Sequence, residues 1–155
     1  MTKAEDIPLT ISQLFDASPE EVFDAWIERE QWQAWLGPEG VTCEVPLLEP
    51  EVGGGYRVVM HVGRGETLRI AGVFKVIDRP WTLMFTWGAE GDPSRQSLLT
   101  LTLRAVGAGT ELTLRQDGLQ TEANRESHRR GWGGGLDKLE LHLARATQGD
   151  VGWPT

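Results

Sequence analysis

Apolar residues recur along the chain with two different periods, and the change of period divides it into three parts. Between residues 9 and 15 apolar and polar residues alternate, which is typical of a strand with one buried face. Between residues 41 and 118 the period of two returns in short runs separated by turn residues, which predicts further strands. Near the end, apolar positions three or four residues apart predict an amphipathic helix over about residues 122–146. These positions are Trp132, Leu136, Leu139 and Leu143.

Two short helices are predicted between the first strand and the second. Ser18 can cap a helix, Pro19 suits its first turn, and Glu21 can complete a capping box. A second helical piece covers residues 31–36 and is stopped by Gly37-Pro38.

Six runs with a period of two follow, separated by turns or short loops. Short connections join neighbouring antiparallel strands, so this order predicts a meander. Pro46 lies in the first run and lacks a backbone N–H group, which favours an edge position for that strand. The six runs cover residues 41–48, 56–62, 67–77, 81–87, 97–105 and 111–117.

Together these elements predict one α+β domain, with a curved antiparallel sheet of about seven strands and a long C-terminal helix across one face. The two short helices come directly after the first strand. Because a helix across a curved sheet need not fill the space beneath it, we expect an apolar cavity there. Residues from about 147 to 155 are predicted to be a mobile tail.

The predicted C-terminal helix contains three consecutive glycines, Gly133 to Gly135, and each costs a helix about 1 kcal/mol relative to alanine. Gly135 lies on the apolar stripe, where a leucine would be expected. Close approach of a strand backbone would explain the missing side chain, and so would a void beside the helix. A third explanation is a weak turn stabilised by tertiary packing. We predict that Gly135 enlarges the cavity.

Composition and charge argue against several classes of function. The chain has 155 residues, with 15 lysines and arginines against 23 aspartates and glutamates, and a formal net charge of −8. This balance repels phosphate backbones and anionic lipid, so we expect neither nucleic-acid nor membrane binding. The one cysteine, Cys43, can form no internal disulfide, and neither a signal peptide nor an apolar run of about 20 residues is evident. These features favour the cytoplasm.

Four segments resemble one known family, in the same order along the chain. The first, residues 25–40, has paired tryptophans and the motif Trp-x-Gly-Pro, and the second, residues 53–57, has the motif Gly-Gly-x-Tyr. The third, residues 72–86, consists of a strand, a turn that contains proline, and a second strand. The fourth, residues 128–132, has the motif His-x-x-Gly-Trp. The family is that of the activators of heat-shock protein 90 ATPase and their homologues, in particular the C-terminal domain. The resemblance implies the START-like helix-grip fold of the SRPBCC superfamily, whose members share a deep cavity but no common chemistry. It also implies the family's link to the stress response.

We expect ligand contacts from aromatic and apolar residues of the helix and sheet, together with two polar groups, Gln116 and His128. The predicted set is Trp35, Tyr56, Phe74, Phe85, Trp87, Gln116, His128, Trp132, Gly135, Leu136 and Leu139. No metal or cofactor is predicted, because His61 and His142 show no ligand spacing with His128 and Cys43 stands alone. No catalytic residue is predicted either, since the chain has no G-x-S-x-G motif and its glycine run does not match a phosphate loop.

Among the titratable residues, His128 is the strongest candidate for a functional role. It lies one helical turn before Trp132, so its side chain should reach the cavity or its wall. It could contact a ligand oxygen, act as an acid or base near neutral pH, or simply bond to a strand carbonyl. Because no neighbour supplies a second group for acid–base chemistry, we predict a ligand contact.

The sequence therefore predicts non-catalytic binding of a small hydrophobic or aromatic ligand in the cavity. One alternative is a partner-binding module resembling the chaperone activator, which would bind a protein through its surface. Another is an enzyme resembling the aromatase/cyclases or hydrolases, acting in the same cavity. An open pocket with an unpaired His128 would favour a ligand or an enzyme, and a closed or filled cavity with an exposed apolar patch would favour a protein partner. The chain is expected to be a monomer or a homodimer.

Overall fold

Seven antiparallel strands and three helices make up the described part of the chain in a computed structural model. It describes residues 7–38, 40–92, 94 and 96–150, with side chains up to residue 145. The strands are β1 (Leu9–Phe15), β2 (Thr42–Leu48), β3 (Gly55–Gly63), β4 (Glu66–Asp78), β5 (Thr82–Ala89), β6 (Ser97–Val106) and β7 (Gly109–Asp117). The helices are α1 (Pro19–Asp24), α2 (Arg29–Trp35) and α3 (Glu122–Asp150). The predicted α+β class and order of elements are confirmed.

The sheet has the strand order β1-β7-β6-β5-β4-β3-β2. Strands β2 to β7 form the predicted meander, since each pairs with the next one along the chain. β1 instead pairs with the last strand, from Leu9 opposite Gln116 to Phe15 opposite Thr110. This pairing places β1 and β2 at opposite edges of the sheet, with α1 against β6 and β7 and α2 against β2.

The predicted edge position of the Pro46 strand is confirmed, because β2 is the last strand of the sheet. Its pairing with β3 is interrupted between Glu44 and Leu47, which is where Pro46 lies. Because of the bulge, no hydrogen bond between the strands is needed from the Pro46 nitrogen, which has no proton to donate.

The predicted start of α1 is also confirmed. Ser18 Oγ accepts a hydrogen bond from the Glu21 backbone N–H, and Glu21 Oε1 accepts one from the Ser18 N–H. This reciprocal pair satisfies two donors that the first turn of a helix leaves unpaired.

The long helix α3 covers one face of the sheet with its apolar stripe, as predicted, and Trp132, Leu136 and Leu139 are buried there. The helix begins at Glu122 but ends at Asp150, four residues beyond the predicted end at residue 146. Residues 147–150 are helical, because no proline stops the helix before residue 154, and the mobility of this segment stays a prediction. The rest of that predicted tail, residues 151–155, lies outside the described residues. No helix of the described chain is long and apolar enough to cross a membrane.

Two side-chain contacts hold α3 against the elements that follow β1. His142 Nε2 lies 3.0 Å from Gln31 Oε1 on α2. Lys138 Nζ donates to the Val41 carbonyl at 2.8 Å, just before β2. Both contacts join residues about a hundred positions apart, so they link the helix to the loop and helix at the β2 edge.

We predict that His142 makes the stability of the fold sensitive to acid. Burial, assisted by the positive charge of Arg145, lowers the pKa of His142 from its ordinary value of 6.5. The unfolded chain therefore binds this proton at a higher pH than the folded chain. The stabilising contribution of neutral His142 is present above about pH 6.5 and is lost as the pH falls through the lowered folded-state pKa. Glutamine at this position keeps an N–H donor but does not titrate.

The measurement is the melting temperature of the wild type and His142→Gln at pH 8, 7, 6 and 5. The wild type should lose more than the variant between pH 7 and pH 5, while the difference between them stays constant from pH 8 to pH 7. Equal losses on acidification would show that His142 contributes nothing to the pH dependence.

Candidate functional site

An apolar recess of about 200 Å³ lies between the first half of α3 and the side of the sheet that the helix covers. Four parts of the chain surround it: the loop after α2, the β3–β4 hairpin, β5 and α3. Its side-chain polar groups, on Ser127 and His128, both come from the helix. The lining residues are Leu36, Gly37, Pro38, Met60, Leu68, Ile70, Trp87, Ser127, His128, Gly131 and Trp132.

The hairpin wall of the recess follows from the pairing of β3 with β4. Met60 and Leu68 are directly opposite each other in the register, and Ile70 lies two residues further along β4. Residues two apart in a strand point to the same face, so Leu68 and Ile70 belong to one wall. Met60 is buried and Leu68 is half exposed, which places Leu68 where the recess opens to solvent.

Gly131 leaves open the helix side of the recess. A Cβ atom added at Gly131 would meet no other atom within 4 Å, and Gly131 lines the recess. A larger side chain would therefore project into free space rather than into packed atoms. The same is true of Gly133, but Gly133 does not line the recess.

Gly135, which we expected to enlarge the cavity, lies against the loop after α2. A Cβ added there would be 3.4 Å from the carbonyl oxygen of Gly37. The missing side chain thus admits a backbone, as one of our explanations required, but the backbone is that of a loop rather than a strand. Gly37 itself has φ +97°, a conformation that favours glycine. Because Gly37 lines the recess, this contact packs the loop wall of the recess against α3.

Five aromatic rings form a closed loop of contacts, which we call the aromatic cage. The distances between ring centroids are 6.4 Å from Trp26 to Phe85, 5.7 Å from Phe85 to Tyr56, 6.3 Å from Tyr56 to Trp87, 4.9 Å from Trp87 to Trp132 and 5.8 Å from Trp132 back to Trp26. Trp87 and Trp132 also line the recess, so they separate it from the rest of the cage. Aromatic pairs at such distances contribute about 0.5–1.5 kcal/mol each beyond their buried area.

A chain of three buried hydrogen bonds links the indole of Trp132 to the backbone of Trp87, and both residues line the recess. Trp132 Nε1 donates to Gln116 Oε1 at 2.9 Å, and Gln116 Nε2 donates to Ser97 Oγ at 2.8 Å. Ser97 Oγ in turn donates to the Trp87 carbonyl at 2.7 Å. Gln116 is fully buried, so each of these groups would be costly to leave unpaired. The network therefore holds the Trp132 indole in one orientation across β7, β6 and β5.

The eleven predicted site residues fall into three groups. Trp87, His128 and Trp132 line the recess. Tyr56 and Phe85 belong to the aromatic cage, and Gln116 holds Trp132 from behind. The remaining residues, Trp35, Phe74, Gly135, Leu136 and Leu139, are buried in the core or against the loop and do not line the recess. Ligand contact by any of the eleven remains a prediction.

The structure adds recess residues that the sequence analysis did not name, chiefly Met60, Leu68, Ile70 and Gly131. A signal for two of them is present in the sequence, because Leu68 and Ile70 alternate with polar residues along β4. The signal for Gly131 was hidden by the more conspicuous triple glycine that follows it.

His128 lies at the recess but is not bonded to a strand carbonyl. Its Nδ1 is 2.9 Å from the carbonyl oxygen of Asn124, one turn earlier in α3. Because a carbonyl can only accept, Nδ1 carries the proton, and Nε2 of the neutral ring is left as an acceptor. No carboxylate is hydrogen-bonded to His128 within the described residues, so the site lacks an acid–base pair there.

Neither a metal site nor an activated nucleophile is found among the described residues. No group of three histidine, cysteine, aspartate or glutamate side chains could hold a metal ion. Burial raises the pKa of the Cys43 thiol to about 11, so the thiol is protonated near neutral pH. Burial also raises the pKa of Tyr56 well above its ordinary value, and its hydroxyl donates to the Thr86 carbonyl.

A larger groove of about 640 Å³ lies near the other end of α3, beside the β6–β7 hairpin and the end of β1. It is lined in part by the polar residues Asp16, Thr110 and Glu140. It contains neither histidine nor tryptophan and is not connected to the aromatic cage by any shared residue. The smaller recess is therefore the better candidate for an apolar ligand.

Comparison with known proteins agrees with this geometry. The sequence model of the family described as "Activator of Hsp90 ATPase homolog 1-like protein" matches residues 16–144. Among solved structures, a Chromobacterium violaceum protein is 23% identical, with 86% of this chain and 94% of that one covered and a TM-score of 0.80. A Rhodobacter sphaeroides protein is 25% identical, with 94% and 97% covered and a TM-score of 0.78.

A third similar structure, from Silicibacter pomeroyi, bears the short name of the same family. It is 25% identical, with 90% of this chain and 99% of that one covered and a TM-score of 0.77. No curated protein matches the chain significantly.

We predict that Gln116→Leu destabilises the fold by about 1–3 kcal/mol, because it leaves the buried Trp132 N–H without its acceptor. The measurement is the free energy of unfolding in urea. Ser12→Ala is the control, since it removes an exposed 3.0 Å hydrogen bond to Thr113 and should change stability by less than about 0.5 kcal/mol. Combining Gln116→Leu with Trp132→Phe should cost less than the sum of the two single changes. Strictly additive costs would contradict the role given to this bond.

Proposed function

Because the chain belongs to the family of activator of Hsp90 ATPase homolog 1-like proteins and has that family's helix-grip fold, we propose that it binds a small apolar or aromatic molecule, without catalysis, in the recess beside α3. The observation that carries the proposal is the apolar recess itself, with the Trp132 indole held in place at its inner side. An orientation fixed before binding reduces the entropy that a ligand must overcome.

The size of the recess supports a small ligand. Drug-sized molecules occupy pockets of about 300–1,000 Å³, whereas a dry apolar cavity of about 150 Å³ is enough for benzene. At about 200 Å³, the recess suits a compound with a single ring or a short branched chain.

The polar groups at the recess support binding rather than reaction. Neutral His128 offers Nε2 as an acceptor, and Ser127 offers a hydroxyl group. The group that orients His128 is the uncharged Asn124 carbonyl, and no carboxylate, which would strengthen an acid or base, is hydrogen-bonded to it in the described chain. We therefore assign His128 a contact with a ligand hydroxyl.

The family description also names activation of an ATPase, which would require a protein partner. That alternative rests on the description and on the larger groove, where Leu14 and Val106 are exposed. The recess, in contrast, is a specific feature with a shape and a chemistry.

We predict that Gly131→Leu blocks the recess and that Gly133→Leu does not. Both changes replace a helical glycine whose Cβ position is free of contacts, and both should favour the helix by up to about 1 kcal/mol. Only Gly131 lines the recess. Gly131→Leu should therefore weaken ethylbenzene binding at least about tenfold, and Gly133→Leu should leave it within about twofold of the wild type. Binding is measured by ligand-observed NMR titration, with the melting temperature as the check on folding.

Two results would overturn the proposal. One is that no small aromatic probe, ethylbenzene included, binds to the folded wild type. The other is unchanged binding to a folded Gly131→Leu variant, which would place the ligand elsewhere.

The His128 contact is tested with benzyl alcohol, whose hydroxyl can donate to Nε2. His128→Gln should weaken benzyl alcohol binding about fivefold, as expected for one neutral hydrogen bond of about 1 kcal/mol, and should leave ethylbenzene binding unchanged. An equal loss for both ligands would show that the substitution acts through the shape of the recess. A catalysed reaction that the variant loses by about 100-fold or more would show that the protein is an enzyme.

A further inference from the structure

Two buried indole groups in the core have no hydrogen-bond partner. Trp26 and Trp32 are both fully buried, and the Nε1 atom of each makes no hydrogen bond within the described residues. A buried donor without an acceptor loses its bonds to water and gains nothing in return, so such groups are rare in native proteins. These two therefore call for a physical explanation.

Three neighbouring polar groups on aromatic residues are paired. Trp35 Nε1 donates to the Ala25 carbonyl at 3.0 Å, and Trp132 Nε1 donates to Gln116 Oε1 at 2.9 Å. The Tyr56 hydroxyl donates to the Thr86 carbonyl. The fold thus supplies acceptors to these neighbouring donors, and among the solvent-shielded side-chain polar atoms of the described residues only Trp26 Nε1 and Trp32 Nε1 lack a partner.

The two unpaired indoles share a location. Both contact Phe85 of the aromatic cage, with ring centroids 6.4 Å away for Trp26 and 5.9 Å away for Trp32. Trp26 is itself a member of the cage, and Trp32 also packs on Tyr56 at 5.1 Å. The two donors are therefore associated with one aromatic space.

Only one layer of residues separates these indoles from the recess. The Trp26 ring is 5.8 Å from the ring of Trp132, which lines the recess. The backbone carbonyl of Trp32 accepts a hydrogen bond from Leu36, another lining residue, at 2.9 Å. The hydrogen-bond network holds Trp132 by its indole but Trp87 only by its backbone carbonyl. A ligand that turns the Trp87 ring away from the Trp132 ring, whose centroid is 4.9 Å away, would therefore enter the cage without breaking the network.

We propose that the ligand of the recess is a neutral, mostly apolar carbonyl compound whose oxygen accepts a hydrogen bond from the indole N–H of Trp26, Trp32 or both. This inference rests on the proposed function, since it specifies the ligand of the same site. An acceptor is required because both unpaired groups are donors and cannot accept. A neutral oxygen fits better than a carboxylate, because indole groups carry no charge and the chain has a net charge of −8.

Such a site discriminates between molecules of the same shape. A ligand with a carbonyl oxygen pairs the buried donors, and an isosteric hydrocarbon leaves them unpaired. Acetophenone and ethylbenzene differ only in the exchange of a carbonyl for a methylene group, so they form a matched pair of probes. Acetophenone should bind at least about tenfold more tightly.

The experiment uses the full chain with ¹⁵N-labelled tryptophan, which gives a separate indole N–H signal for each of the seven tryptophans. The signals of Trp26 and Trp32 are assigned with the Trp26→Phe and Trp32→Phe variants. On addition of acetophenone, one or both indole protons should move downfield, as expected for a new hydrogen bond to oxygen. Ethylbenzene should produce no such shift. In a folded phenylalanine variant of the responding residue, the two probes should bind with similar affinity.

The outcomes separate this inference from the function on which it rests. If neither probe binds, or if Gly131→Leu does not weaken binding, the proposed function fails. If both probes bind with equal affinity and the two signals do not move, the recess binds ligands but the carbonyl inference is wrong. Indole protons that are shifted upfield in the free protein and are unaffected by acetophenone would also overturn it, because they would show that the donors face neighbouring rings. The response of the indole N–H chemical shifts of the wild type to the two probes tests the carbonyl inference even if a variant does not fold.

Discussion

The hydrogen bond from Trp132 to Gln116 determines where the long helix lies on the sheet. It is buried, and it joins α3 to β7 at a position that is linked through Ser97 to the backbone of Trp87. A shift of the helix by one residue would leave an indole N–H and an amide group unpaired in the core, and each would cost about 1–3 kcal/mol. Apolar packing alone would tolerate such a shift more easily, because burial has little directional preference. The recess depends on this bond, since its helix wall extends from Ser127 to Trp132.

The opposite wall depends on glycine and on a single lysine. Gly135 allows the loop at Gly37 to approach within contact distance, and Lys138 donates to the Val41 carbonyl further along the same loop. The loop is therefore held to α3 at both ends by interactions that need no bulky side chain. The remaining wall, from the β3–β4 hairpin, is fixed by the pairing of Met60 with Leu68. Helix, loop and hairpin thus meet at a space that none of them fills.

Much of the fold could be predicted from the sequence because its signals are local. The capping box at Ser18 and the proline in β2 each act within a few residues, and both are confirmed. The site was harder, because its features depend on which distant segments meet. The sequence singled out Gly135 as a void, but the neighbour that explains it, Gly37, is almost a hundred residues away. The absence of an acceptor for Trp26 and Trp32 likewise depends on packing that no local pattern reveals.

The open position at Gly131 has a consequence for how this fold can diversify. The sheet, the buried hydrogen bonds and the aromatic cage do not rely on a side chain at Gly131, because a Cβ there would touch no other atom. The volume of the recess can therefore change by substitution at one helical position while the rest of the core remains intact. Alanine, valine or leucine at this residue would give three successively smaller recesses on one scaffold. Ligand size can thus change at a residue on which the packing of the core does not depend.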